Sequence, residues 1–150
     1  MGAVRVLEVF APLFGHWQGS EEQLTSPWGP ATAARAALSF RAEVGGAAMV
    51  SDYRQVRTDG SEFYGHGVFL VDKALVVSWW LFDSSGRPPL PATGRWRDGE
   101  LRLTKPTERG TATHRFALEG EELTYAIDVA GSAGDPEPLL RGRYQAVSTH

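Results

Sequence analysis

The stretch TAARAALSFRAEV, residues 32–44, fixes the period of the chain. Ala34, Ala36, Leu38, Phe40 and Ala42 are apolar. Arg35, Ser39, Arg41 and Glu43 stand between them. Strict alternation of this kind gives a β-strand with one buried face and one wet face, because successive side chains leave a strand on opposite sides. Gly45-Gly46 follows as a tight turn, and GAAMVSDYRQVR continues as a second strand.

The same grammar extends both ways. TDGSE is a turn. EFYGHGVFLVD and KALVVSWWLFD read as strands joined near Asp72-Lys73, and SSGRPPLP as a rigid loop. ATGRWRD and ELRLTKP pair through Asp98-Gly99. GTATHRFALEG and EELTYAIDVA pair at Gly120. GSAGDPEP is the longest polar loop, LLRGRYQAV is the last strand, and GHWQGSEEQLT is the first. Residues 4 to about 12 have helical spacing through Val6, Val9, Phe10 and Leu13, with Pro12 as a stop. So short a helix needs a surface to lie on, and an end of the sheet supplies one. About ten antiparallel strands must hide their edges. The expected fold is therefore an all-β, up-and-down antiparallel barrel with a short N-terminal helix; a two-sheet sandwich is the alternative. A barrel of this strand number leaves room for an interior cavity.

The 150 residues fit one domain, 1–150, with no linker and no repeat. There is no cysteine, which excludes disulfides and thiolate chemistry and fits a cytoplasmic location. The net charge of −3 argues against nucleic acid as partner. The apolar start is interrupted by Arg5 and Glu8, so neither a signal peptide nor a membrane span is expected.

LFGHWQG resembles the Gly-x-Trp element of the lipocalins and their calycin relatives. With SPWGP, SDYRQ, GHGVF, FDSSGRPPL and LRGRY, the chain resembles a bacterial family of lipocalin-like domains. It is similar in plan to nitrobindin and fatty-acid-binding-protein barrels. The resemblance implies a barrel, a small ligand, and a Trp17 that closes the barrel bottom under an arginine of the last strand, Arg141 or Arg143. Haem in nitrobindin-like barrels is held by a histidine near the start of the last strand. Leu139 stands in that region here, so haem is not expected, nor any other cofactor. The fatty-acid clamp needs Arg and Tyr two residues apart, whereas Arg143 and Tyr144 are adjacent and face opposite ways.

Chemistry-bearing residues are few. His114 shares its parity with Ala112, Phe116 and Leu118, and Tyr125 with Leu123 and Ile127. Both point inward, nearly opposite one another across the Gly120 turn. They read as ligand anchors or an acid–base pair, or as a core histidine satisfied by a hydroxyl. Arg141 and Arg143 share a face. Turned inward they require an anion; turned outward they are ordinary surface charges. His66 sits between two glycines, within reach of Trp79 or Trp80 across the hairpin, and interior placement is expected. The glycines make room for the indoles or for barrel curvature. The four histidines have no metal-ligand spacing, so no metal site is expected. Ser84 lacks a nucleophile elbow.

The expected function is binding of a small hydrophobic molecule, apolar with an acyl or aromatic body. Its anchors would be drawn from His66, Trp80, His114, Tyr125, Arg141 and Arg143, with no catalytic residue. The alternatives are a cyclase- or isomerase-type barrel enzyme using His114 or Tyr125, and an interaction module using the SSGRPPLP loop. A homodimer stands beside a monomer as an option.

Overall fold

The computed structural model describes residues 8–25, 30–108, 110–131 and 134–147. The first seven residues, most of the SPWGP element and His150 lie outside them. Ten antiparallel strands follow one another around a closed barrel: β1 Gly15–Gln23, β2 Thr32–Glu43, β3 Ala48–Arg57, β4 Glu62–Val71, β5 Val76–Asp83, β6 Ala92–Arg97, β7 Glu100–Thr107, β8 Gly110–Glu119, β9 Glu122–Ala130 and β10 Glu137–Ala146. β1 pairs with both β2 and β10, so the sheet has no free edge. Alternation decides the faces. Ala34, Ala36, Leu38 and Phe40 of β2 are buried, while Arg35 and Arg41 point outward.

The two ends of the barrel differ. At one end, helical residues 8–10 and the 3-10 turn Ala11–Leu13 form a plug. Phe10 and Leu13 are fully buried, and Phe10 meets Phe69 and Trp96 edge-on or tilted, with ring centroids 6.2 and 6.1 Å away. The Trp17 indole N–H donates to the Leu13 carbonyl at 2.9 Å and ties the plug to β1. Phe40, Phe69, Trp79 and Phe116 fill the barrel above the plug, with Phe69 stacked on Trp79 at 5.4 Å. Trp17 thus closes the bottom as its motif implied. The arginine expected across it is absent, because Arg141 and Arg143 point away from the interior.

The β4–β5 hairpin turns near Asp72-Lys73 as expected, but through a loop longer than the one that would set His66 opposite Trp79 or Trp80. Residues 72–75 form the loop. The Asp72 carboxylate accepts the amides of Ala74 and Val76, each at 2.9 Å, and stabilises the longer turn. His66 therefore pairs with Phe82 rather than with a tryptophan, and Trp80 pairs with Val68.

The β2–β3 turn carries local strain. Val44 has φ +56°, a left-handed conformation that crowds a β-branched side chain, and its side chain lies in solvent. Val44→Gly should raise stability by about 1 kcal/mol, seen as a higher urea midpoint with unchanged slope. A midpoint equal to or below that of the parent would show that the turn is unstrained.

Candidate functional site

The barrel end opposite the plug is open. Above the aromatic floor lies a cavity of about 270 Å³. Trp79, Phe116, Leu38, Leu81, Ile127 and Leu140 give it an apolar wall. Arg57, Lys105 and Asp83 stand at its rim. Alternation on β3, β5, β8 and β9 aims Ser51, Trp79, His114 and Tyr125 into it.

His114 and Tyr125 meet in this wall as their parity predicted. The imidazole Nδ1 lies 2.6 Å from the Tyr125 hydroxyl, and both side chains are buried. Tyr125 stacks on Phe116 at 4.3 Å between ring centroids. Burial, helped by the positive charge of Lys105, lowers the His114 pKa to about 3. Burial and the nearby Glu21 carboxylate push the Tyr125 pKa well above its ordinary value. The ring is thus neutral at neutral pH. The Tyr125 hydroxyl has no other acceptor among the described residues. It therefore donates to Nδ1, and the ring proton resides on Nε2.

A second polar cluster lies in the same interior. Glu21 is 3% exposed, and three donors converge on its carboxylate. Tyr53 Oη donates to Oε1 at 2.5 Å and Gln55 Nε2 donates to Oε1 at 2.7 Å, while Tyr144 Oη donates to Oε2. Burial and the Glu21 charge raise both tyrosine pKa values. Ala34 and Gly142 flank Glu21 on the neighbouring strands and leave room for these larger rings. A Cβ on Gly142 would stand 2.5 Å from the Tyr144 hydroxyl. Sequence reasoning did not nominate Glu21. The signal was present: Trp17, Glu21 and Gln23 share one parity, so an inward Trp17 turns Glu21 inward too.

The remaining nominated residues lie on the outer face. The His66 side chain is 45% exposed, and its Nδ1 donates to Asp52 Oδ1 at 2.7 Å. That hydrogen bond, together with the Arg41 guanidinium, holds the Asp52 carboxyl below its ordinary range. This corrects the expected interior placement of His66. Both parities of β4 are apolar, so alternation could not choose the face, and Phe63, Phe69 and Val71 take the inside. Trp80 points outward for the same reason, and Trp79, one residue earlier, lines the cavity. Arg141 donates to Asp128 Oδ1 at 2.7 Å and to the Leu140 carbonyl at 2.8 Å. Arg115 holds the other oxygen of Asp128 at 2.6 Å. Arg143 lies 3.9 Å from Glu122 and is largely exposed. Neither nominated arginine needs a bound anion. Gly67 makes room for an indole as expected: a Cβ there would stand 2.5 Å from both Trp79 Nε1 and Ser51 Oγ. Among the described residues, no group of three or more His, Asp or Glu could hold a metal ion.

Ten antiparallel strands closed on themselves, a plug at one end and a cavity open at the other define an up-and-down β-barrel. No family model and no curated protein matches the sequence. Solved structures are similar in fold. Rv2717c from M. tuberculosis superposes with a TM-score of 0.78 at 19% identity, over 95% of this chain and 98% of that one. The S-type phycobiliprotein lyase CPES from Guillardia theta gives 0.68 at 10% identity, over 97% and 94%. EF1p2_mFAP2b, bound to DFHBI, gives 0.52 at 12% identity, over 95% and 99%.

Proposed function

We propose that the protein binds a small, mainly apolar molecule inside the barrel, with His114 and Tyr125 among the residues that contact it. The observation that carries this reading is the open cavity of about 270 Å³, largely apolar in its walls, with the buried His114–Tyr125 pair in it. Similarity to a phycobiliprotein lyase and to a barrel that holds DFHBI supports a small-molecule role for this architecture. His66, Trp80, Arg141 and Arg143 drop out of the binding set, since they stand outside the cavity wall.

Acid–base catalysis by the same pair is disfavoured. Burial drives the two groups apart, His114 down to about 3 and Tyr125 well upward. Neither is poised near neutral pH, where general acid–base transfer is efficient.

A thermal-shift panel of fatty acids, aromatic acids and neutral bicyclic aromatics tests the proposal. A ligand at a hundred times its Kd adds about 2.7 kcal/mol, which raises Tm by several degrees. Leu81→Trp, which fills the cavity from its wall, should abolish that shift while the barrel stays folded. No shift from any compound, or an unchanged shift in Leu81→Trp, would overturn interior binding.

A further inference from the structure

Trp79 is 3% exposed, and its indole N–H has no hydrogen-bond partner among the described residues. Buried donors almost always find an acceptor, and an orphan of this kind destabilises the fold that holds it. This one borders the cavity, beside the Ser51 hydroxyl and over the bare backbone of Gly67. His114 packs edge-on against the same indole, with ring centroids 4.9 Å apart, and its Nε2 N–H meets no acceptor among the described residues. The lower cavity therefore presents two N–H groups to which none of the described residues is bonded, beside a Ser51 hydroxyl that can both donate and accept.

The charges nearby decide what kind of acceptor fits. Lys105 and Arg57 stand at the rim, and Arg57 is engaged with the Gln55 side-chain oxygen at 3.0 Å and with the Phe63 ring. Among the described residues no Lys or Arg lines the floor, and the charge of the buried Glu21 carboxylate acts on Tyr125. An anion at that depth would lack a counter-charge and face a like charge. We infer that the ligand of this cavity carries a neutral hydrogen-bond acceptor, a carbonyl or a ring nitrogen, at its inner end, taken by the Trp79 indole N–H with His114 beside it. This rests on the binding role proposed above and narrows its ligand class to apolar carbonyl or aza-aromatic compounds that enter acceptor first.

The test compares 1-tetralone with tetralin, the same bicyclic skeleton without the carbonyl, by calorimetry at neutral pH. Tetralone should bind about tenfold more tightly than tetralin. Trp79→Phe should cut that preference to threefold or less; because the change also reshapes the cavity wall, the quantity read is the ratio of the two affinities and not either one alone. In the unsubstituted protein the Trp79 indole proton resonance should move downfield with tetralone and not with tetralin, a readout that does not depend on the variant folding. Equal affinity for the two probes, an intact preference in Trp79→Phe, or an unmoved indole proton would overturn the inference while leaving interior binding standing. Failure of both probes to bind would overturn the binding role itself, and this inference with it.

Discussion

Replacing Glu21 with alanine should lower the unfolding free energy by about 3–5 kcal/mol, the range for breaking a buried charged network by removing one partner. The carboxylate is the single acceptor shared by Tyr53, Gln55 and Tyr144. Without it, three polar groups in the barrel interior lose their partner, and each lost partner leaves a desolvated donor. The groups come from strands far apart in sequence, so the network also ties β1 to its neighbour β10 and, past β2, to β3. Glu21→Gln should fall between the two, at roughly 1–3 kcal/mol, because the amide keeps one acceptor but turns an N–H₂ toward a hydroxyl that must donate. Urea denaturation measures both variants. Tyr144→Phe combined with Glu21→Ala should cost less than the sum of the two single changes, since both remove the same contact. A loss below 1 kcal/mol for Glu21→Ala, or additivity in that cycle, would show that the cluster is not a unit.

The second large effect is on pH dependence. The His114 pKa falls from 6.5 in the unfolded chain to about 3 in the barrel. Between these values the unfolded chain binds a proton that the native protein refuses. Stability is then fully present above pH 6.5 and declines as pH falls towards 3. The full decline attributable to this group is roughly 4–5 kcal/mol. From pH 6.5 to 5, before most carboxylates titrate, the slope should approach that of one proton. His114→Phe should flatten the slope in that window and keep the acid loss due to carboxylates below it. Equal slopes in the two proteins would mean that His114 protonates in the folded state. An NMR titration of its imidazole gives the same answer directly: no protonation shift above about pH 4.

Much of this site was written in the sequence. Where one parity is apolar and the other polar, the strand states its own facing. TAARAALSFRAEV does so, and TATHRFALE and ELTYAIDV turn His114 and Tyr125 to the same interior, where they meet diagonally across the β8–β9 pair. Trp17 fixed the facing of Glu21 in the same way, although nothing local marked Glu21 as buried. Where both parities are apolar, as in FYGHGVFLV and VVSWWLF, the pattern is silent and the register of one turn decides. Four loop residues put His66 across from Phe82, and the packing of Phe69 on Trp79 drew that parity inside.

The sequence by itself determined the strand period, the approximate number of strands and the inward facing of His114 and Tyr125; closure into a barrel rather than a two-sheet sandwich was decided by the tertiary structure. The period, the approximate strand number and the facing follow from the two-residue repeat of a strand and from local turn chemistry. Only the tertiary structure decided which tryptophan meets the cavity, that Arg141 finds Asp128 outside, and that Glu21 gathers Tyr53, Gln55 and Tyr144 within. Those outcomes depend on which strands become neighbours when the barrel closes and on how large rings share one interior. No stretch of chain encodes that alone, because the partners of each group lie tens of residues away.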